Sequence, residues 1–341
     1  MKLNHYEYLS LPHFEKFMMS YLSAFFILIG LFALELGYFR IAEHFQIIDR
    51  PNARSSHERI TLRGGGIIFC LAALIYFVCS EFQYPFFIGG LVSIAAISFI
   101  DDVLTLNNKL RLGIHLLAVV MLFVQWDIFQ QPFYILLIAG VFVIGTINAY
   151  NFMDGINGIT GSYSLLTILT LSYINTYQVP FIDPDFLWII VLSLLVFCFF
   201  NFRNRAKCFA GDVGSVAIAF ILIFLIGKLI IQTANFTYIL LLLIYGLDTV
   251  TTIIFRKIRK ENIFEAHRSH FYQYLANQLK FSHLKVSVLY LFFQLLVNWV
   301  LLSLTLHSWF LSLIFAVVLA LCFVGLRFRT EGAKTLLLSK E

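Results

Sequence analysis

The chain has 341 residues, 60% hydrophobic and only 13% charged, with a mean hydropathy of +0.86. That balance excludes a soluble globular protein; at about 20 apolar residues per crossing the chain holds roughly ten crossings, so an all-α polytopic protein of the lipid bilayer is expected. The net charge of +5 would point to nucleic acid only if the basic residues shared a soluble face, and they lie instead in short connections between apolar runs, so no nucleic acid is expected as a partner.

Eleven apolar runs follow in chain order, approximately 18–39, 65–79, 84–100, 112–126, 132–147, 159–177, 186–200, 214–231, 236–255, 284–306 and 309–328. The first is too long for a signal-peptide core and shows no small-residue cleavage site, and is read as a retained span. No repeat or linker divides the chain. Residues 1–341 therefore read as a single integral membrane domain, with its polar motifs between about 49 and 273, two last spans over 284–328 and a tail at 329–341. The connections after runs 1, 3, 7 and 9 and the tail hold twenty-one of the 24 Lys and Arg, and those after the even-numbered runs hold none. Basic residues in short loops stay inside, which places the odd-numbered loops and the C-terminus in the cytoplasm and the N-terminus outside. The five cysteines, Cys70, Cys79, Cys198, Cys208 and Cys322, show no C-x-x-C spacing and imply neither a disulfide nor a zinc framework.

Each inner loop carries polar residues that composition does not demand. The first has Asp49-Arg50-Pro51-Asn52-Ala53-Arg54-Ser55-Ser56-His57-Glu58 and then Arg63-Gly64-Gly65-Gly66; glycines opening a helix let backbone N–H groups approach an anion, or they make a plain flexible loop. The second has Asp101-Asp102, followed by Lys109 and Arg111. Adjacent carboxylates at the hydrocarbon edge repel and are costly to desolvate, which a divalent metal would relieve; a hydrated helix end is the bland alternative. The third runs from Asn148 through Asn151, Asp154 and Asn157 to Gly161, amide-rich where a turn would not need it, and amides read a base or sugar without the desolvation cost of a full charge.

In the fourth, Phe209-Ala210-Gly211-Asp212-Val213-Gly214-Ser215 follows Arg203, Arg205 and Lys207; Asp212 reads either as an N-cap or as a ligand holding a hard cation beside phosphates. The fifth has Glu265-Ala266-His267-Arg268-Ser269-His270-Phe271-Tyr272-Gln273. Its two histidines have no further zinc ligands nearby, so the set reads as an anion or sugar contact, or as a basic loop on lipid headgroups. Asp248, inside run 9, is a functional candidate or a structural partner for Asn or Tyr of a neighbouring span. Glu35 is expected to pair with Arg40.

Taken together, Asp49-Arg50-Pro51-Asn52, Arg63-Gly64-Gly65-Gly66, Asp101-Asp102, residues 148–158, Gly211-Asp212-Val213-Gly214-Ser215 and His267-Arg268-Ser269-His270 resemble, in content and order, the motifs of the polyprenyl-phosphate N-acetylhexosamine-1-phosphate transferases. This is glycosyltransferase family 4, which includes WecA and MraY and the eukaryotic enzyme that starts N-glycan synthesis. The resemblance implies transfer of an N-acetylhexosamine 1-phosphate from a UDP-sugar to undecaprenyl phosphate, with release of UMP and with Mg²⁺ or Mn²⁺ as cofactor. It implies the bacterial inner membrane, with the site on the cytoplasmic face, and the first step of a cell-surface polysaccharide such as O-antigen; a homodimer is left open. By the same analogy Asp212 would hold the metal with Asn151 as a second ligand, and Asn157 would read the uracil. Asp101 and Asp102 would orient or deprotonate the lipid phosphate, Lys109 would face the phosphates, and Asn148 and Asp154 would hold the loop or contact the nucleotide-sugar. His267, Arg268 and His270 would face the diphosphate or sugar.

Two departures stand out. WecA-like enzymes carry a histidine-rich stretch in the last loop, whereas His267-Arg268-Ser269-His270-Phe271-Tyr272-Gln273 is more similar to WbpL-type enzymes that begin O-antigen units on N-acetylated 6-deoxy-hexosamines. Leu62 stands where a proline is common. The rival readings are a transporter, which would place its ionisable groups near the bilayer midplane on broken helices, and a non-catalytic lipid-binding protein.

Overall fold

The computed structural model describes residues 20–51, 60–104, 106–263, 265, 267–305 and 308–338. Asn52, Arg54, Ser55, Ser56, His57 and Glu58 of the first motif lie outside the described residues, as do Ala266, Lys2, Lys16 and Lys340.

Each of the eleven apolar runs forms a helix over most of its described part. The helices are α1 (Tyr21–His44), α2 (Ile67–Cys79), α3 (Pro85–Val103), α4 (Asn108–Trp126), α5 (Phe133–Met153), α6 (Ile159–Tyr177), α7 (Pro184–Asn201), α8 (Gly211–Thr233), α9 (Leu243–Ile258), α10 (Phe271–Asn277), α11 (His283–Val300), α12 (Trp309–Glu331) and α13 (Ala333–Leu337). The only strands among the described residues are β1 (Ile48–Asp49) and β2 (Thr61–Leu62), an antiparallel pair. A 3₁₀ stretch, Phe236–Leu242, leads into α9. The chain is thus an all-α polytopic membrane protein.

Among the described residues nine helices are long and apolar enough to cross a membrane, two fewer than the runs predict. The run beginning at Gly65 forms a helix of only 13 residues, because its first two glycines are spent on a backbone contact described below. α6 has the length but carries Ser, Thr, Tyr and Asn along it, and these are satisfied inside the bundle. Tyr163 O–H donates to Gln294 Oε1 at 2.5 Å, and Asn298 Nδ2 donates to Thr170 Oγ1 at 2.9 Å. Polar pairing of this kind between helices replaces the water the bilayer lacks.

α8 is the centre of the bundle. From Val216 to Ile226 every side chain is at most 1% exposed, as befits a helix that is apolar all round, and α2, α3, α5, α6 and α7 enclose it directly or through one another. Its N-terminal turn can approach α2 because both sides are glycine: a Cβ on Gly66 would lie 2.3 Å from Gly214 Cα. The chain before α2 runs beside residues 208–210, with Gly65 N–H donating to the Phe209 carbonyl (2.9 Å) and Gly66 N–H to that of Ala210 (3.1 Å). These two donors are therefore not available to an anion, and the glycines serve close approach instead. Glu35 also departs from expectation. It is fully buried, 3.7 Å from Cys208 Sγ, while Arg40 is exposed and forms no ion pair with it; α1 turns Glu35 toward the bundle and Arg40 away from it.

Candidate active site

The two carboxylates that end α3 are adjacent in sequence, and the helical rotation of about 100° per residue sends them to different partners. Asp102 is wholly buried and caps α8, accepting from the backbone N–H of Asp212 and of Val213, each at 3.1 Å, and pairing with Arg63 Nε at 2.7 Å. Gly211 makes this possible: its φ is +72°, and a Cβ there would stand 2.6 Å from Asp102 Oδ2. Asp101 faces α4, with Oδ2 2.6 Å from Arg111 Nη1 and Oδ1 accepting from Leu106 N–H at 2.9 Å.

Asp212, in the first turn of α8, is where these threads meet. Arg63 Nη2 lies 2.9 Å from its Oδ1, and Arg111 Nη2 3.6 Å from its Oδ2. Asn151, at the end of α5, places Nδ2 3.5 Å from Oδ2, while its Oδ1 accepts from the Ser215 hydroxyl at 3.0 Å. Three loops remote in sequence thus converge on the carboxylate of a fourth. His115, one turn beyond Arg111 on α4, lies within electrostatic reach of Arg111 and Asp212, and its Nε2 is buried without a partner among the described residues.

Asp154 ends α5. Burial pushes its carboxyl up to about 7, and the Asp212 charge adds to this. Asn148 is exposed and donates back to the Ile144 carbonyl of its own helix, apart from the Asp212 cluster. Lys109 is exposed in the first turn of α4.

Asn157 belongs to a second locus. Its Nδ2 donates to the carbonyls of Arg203 (2.9 Å) and Asn204 (3.3 Å), which fixes the amide and turns Oδ1 the other way. That oxygen is buried and has no partner among the described residues. Asn157 lines a cavity of about 1390 Å³ whose wall also includes Phe209, Arg203, Lys207, Arg268 and Lys280. An aromatic ring, several cations and one orphaned carbonyl oxygen are the chemistry that a nucleotide requires: a stacking face, counter-charge for phosphate, and an acceptor for a base N–H.

The fifth loop is hung from Asp248. This buried carboxylate accepts from the N–H groups of Phe271 (2.9 Å) and Tyr272 (3.0 Å) at the start of α10, and from the Tyr290 hydroxyl at 2.5 Å. His270 Nδ1 lies 3.2 Å from it. Asp248 is therefore a structural partner for a tyrosine of a neighbouring span, as one of its two readings holds. His270 faces inward on Asp248 and is 2% exposed, with only Nε2 left unpartnered among the described residues. His267 stacks on His270 with ring centroids 5.0 Å apart, and burial, assisted by His270, pulls its imidazole down to about 3, so it is neutral near pH 7. Tyr272 O–H donates to the Phe152 carbonyl at 2.9 Å, which ties the loop to the end of α5. Arg268 is the exposed member of the set and lines the cavity.

Sequence reasoning left Arg63, Arg111 and Arg327 without roles and passed over His115. Arg327 carried one signal, a cation inside the end of an apolar run with a glutamate four residues on; His115, lying within an apolar run, carried only its ionisable type.

The oxygen donors around Asp212 suit a hard cation. Asp212 and the Ser215 hydroxyl offer oxygen, as Mg²⁺ prefers, and Asp212 supplies the charge; Asn151, whose Nδ2 faces Asp212 while Oδ1 accepts from Ser215, would offer its oxygen only with the amide turned over. Among the described residues no group of three or more His, Cys, Asp or Glu could enclose an ion.

Residues 84–230 match the model of glycosyl transferase family 4. The chain is 26% identical over 274 residues to a probable undecaprenyl-phosphate N-acetylglucosaminyl 1-phosphate transferase of Bacillus subtilis (strain 168), covering 74% of this chain and 76% of that protein. It is 26% identical over 211 residues to the undecaprenyl-phosphate alpha-N-acetylglucosaminyl 1-phosphate transferase of Escherichia coli (strain K12), covering 55% of this chain and 56% of that protein. To the Salmonella typhi protein of the same description it is 24% identical over 247 residues, 65% of this chain and 66% of the other.

Proposed function

From the match of residues 84–230 to glycosyl transferase family 4 and the similarity to undecaprenyl-phosphate N-acetylglucosaminyl 1-phosphate transferases, we propose that the chain transfers an N-acetylhexosamine 1-phosphate from a UDP-sugar to undecaprenyl phosphate, releasing UMP. The observation that carries this reading is the convergence of Arg63 and Arg111 on Asp212 at one end of a membrane bundle; Asn157, Phe209 and Arg268 line a cavity. A lipid phosphate must approach a diphosphate there, and two guanidiniums beside the path offset the repulsion of the two anions.

An oxygen of the lipid phosphate attacks the sugar-bearing phosphorus of the donor, and the bond from that phosphorus to the bridging oxygen breaks. UMP leaves with the electron pair. The attacking phosphate has a second pKa of about 6 and is already largely ionised near pH 7, so positioning carries most of the catalysis. Asp102, with its oxygens taken up by two N–H groups and Arg63, holds the arginine; Asp101 does the same for Arg111. Mg²⁺ or Mn²⁺, held by Asp212 with Asn151, would neutralise phosphate charge. Asn157 Oδ1 accepts from the uracil N3–H, and Arg268 faces the diphosphate or sugar with His267 as a neutral neighbour. The site faces the cytoplasm of a bacterial inner membrane, with the N-terminus outside, and the product enters a cell-envelope polysaccharide such as O-antigen.

The test is purified protein in detergent with undecaprenyl phosphate, offered a panel of UDP-sugars with Mg²⁺ and with excess chelator, while UMP is followed. Metal-dependent UMP release is expected, and the preferred sugar identifies the donor, including the 6-deoxy N-acetylhexosamines that the fifth loop suggests. Absence of UMP with every donor, lipid and metal being present, would reject the transferase reading in favour of lipid binding or transport. Asn157→Ala is expected to raise the KM for the UDP-sugar about tenfold or more, the cost of one well-placed base contact, with kcat changed far less. Equal KM values in the two proteins would remove Asn157 from the nucleotide site.

A further inference from the structure

Two buried arginines far apart in the chain hold one residue of the fifth loop. Arg327, near the end of α12, is 1% exposed. Its Nη2 donates to the Ser269 carbonyl at 2.9 Å, and its Nη1 donates to the hydroxyls of Thr251 (3.0 Å) and Thr252 (2.9 Å) on α9. Glu331, one turn on, fixes the guanidinium with contacts of 2.6 Å to Nε and 3.2 Å to Nη2. The rings of Phe255 and Phe271 flank it, with centroids 5.1 and 5.9 Å away.

Arg259, just past α9, reaches the Ser269 hydroxyl with Nη2 at 3.5 Å. Its Nη1 donates to the carbonyls of Thr335 (3.2 Å) and Leu336 (3.3 Å) in α13, and Glu261 Oε1 lies 2.6 Å from its Nε. Tyr274, on α10, adds a bond from its hydroxyl to the Thr330 carbonyl at 2.6 Å.

Ser269 is therefore gripped at both its polar ends by side chains that the C-terminal segment orients. Its predecessor, Arg268, is the residue of this loop that lines the cavity, and its successor, His270, is anchored on Asp248. A buried guanidinium is expensive to desolvate, and apolar residues of similar volume would join two helices as well or better. What apolar residues cannot do is hold a loop carbonyl in one direction. We propose that Arg259 and Arg327 are positioning residues which, through Ser269, fix the direction of Arg268 into the cavity, and that the segment from Arg327 to Leu336 is thereby part of the donor site. The proposal rests on the reading of the cavity as the UDP-sugar site, and it predicts a division of labour. The nucleotide half, read at Asn157, is independent of the clamp, while the diphosphate-sugar half depends on it.

The experiment compares Ser269→Ala, Arg259→Gln and Arg327→Lys with the wild type in the full-length protein. Ser269→Ala is the mildest variant and guards against loss of fold in the other two. Three readouts are taken: KM and kcat for the preferred UDP-sugar, affinity for UMP, and amide hydrogen exchange of residues 267–272. The KM for the UDP-sugar is expected to rise several-fold in Ser269→Ala and about tenfold in the arginine variants, the range seen when a residue acts on a ligand it does not touch. UMP affinity and the KM for undecaprenyl phosphate stay unchanged, and exchange at 267–272 accelerates. An unchanged KM, or a parallel loss of UMP affinity, overturns the proposal, because it would show respectively no coupling or a general structural defect. A wild type that releases no UMP with any donor rejects the transferase reading instead, and the clamp is then judged by exchange alone: protection at 267–272 that is the same in all four proteins overturns it.

Discussion

Asp212→Asn is expected to lower kcat for UMP release about 10³-fold, several kcal/mol of transition-state stabilisation, while leaving the folded protein intact. The substitution keeps shape and removes one charge. In the native protein that charge is shared by Arg63, 2.9 Å away, and Arg111, 3.6 Å away, with Asn151 alongside. Without it Arg63 keeps only Asp102 and Arg111 only Asp101 as charged partners, and the proposed divalent cation would lose the carboxylate that holds it. Because the Asp212 side chain keeps 19% of its surface exposed, water can solvate the vacated arginine groups, so thermal unfolding in detergent should change little. The checks are UMP release as a function of Mg²⁺ concentration and the unfolding temperature of the same preparation. Turnover near the wild-type rate would take Asp212 out of the reaction centre.

Asp102→Ala and Asp101→Ala are expected to behave as different kinds of lesion although the residues are neighbours. Asp102 is inaccessible, caps α8 through two backbone N–H groups and balances Arg63. Removing it leaves two donors without a partner at the N-terminus of the central helix and Arg63 with Asp212 alone, which costs up to about 3–5 kcal/mol for a buried pair broken on one side. Arg63 is one-third exposed, which keeps the loss toward the lower end of that range. Asp101 pairs with Arg111 at the protein edge, with 11% and 26% of their side chains exposed, and such a pair stabilises by at most about 1 kcal/mol. Asp101→Ala should therefore unfold near the wild-type temperature yet lose about tenfold or more in kcat, since Arg111 is no longer held toward Asp212. Thermal unfolding and kcat of both variants decide the matter. A severe loss of stability in Asp101→Ala with a stable Asp102→Ala would reverse the assignment.

Periodicity and spacing located the helices well but judged their ends poorly. The run beginning at Gly65 was expected to span and instead spends Gly65 and Gly66 on the carbonyls of Phe209 and Ala210, a contact whose other half lies about 140 residues away. The pairing of Glu35 with Arg40 failed for a similar reason. Sequence distance suggested a turn of helix, but the Glu35 side chain meets Cys208 inside the bundle. At the fifth loop, residue type identified a polar cluster, and only the fold separates His270, turned onto Asp248, from Arg268, turned into the cavity.

By itself the sequence determined the class of the protein and where its polar groups gather. Apolar runs must become helices in a bilayer, since every backbone group needs an internal partner there, and acids, amides and glycines placed between such runs can only cluster at span ends. Which of those residues touch was decided by tertiary structure. The order of helices around α8 brings Arg63, Asp102, Asn151 and Arg111 to Asp212, and the return of α12 beside α9 brings Arg327 to Ser269. Those contacts join residues from about 60 to 150 positions apart. A one-dimensional pattern reports local period and composition, whereas a carboxylate's partner is set by the packing of whole helices against one another.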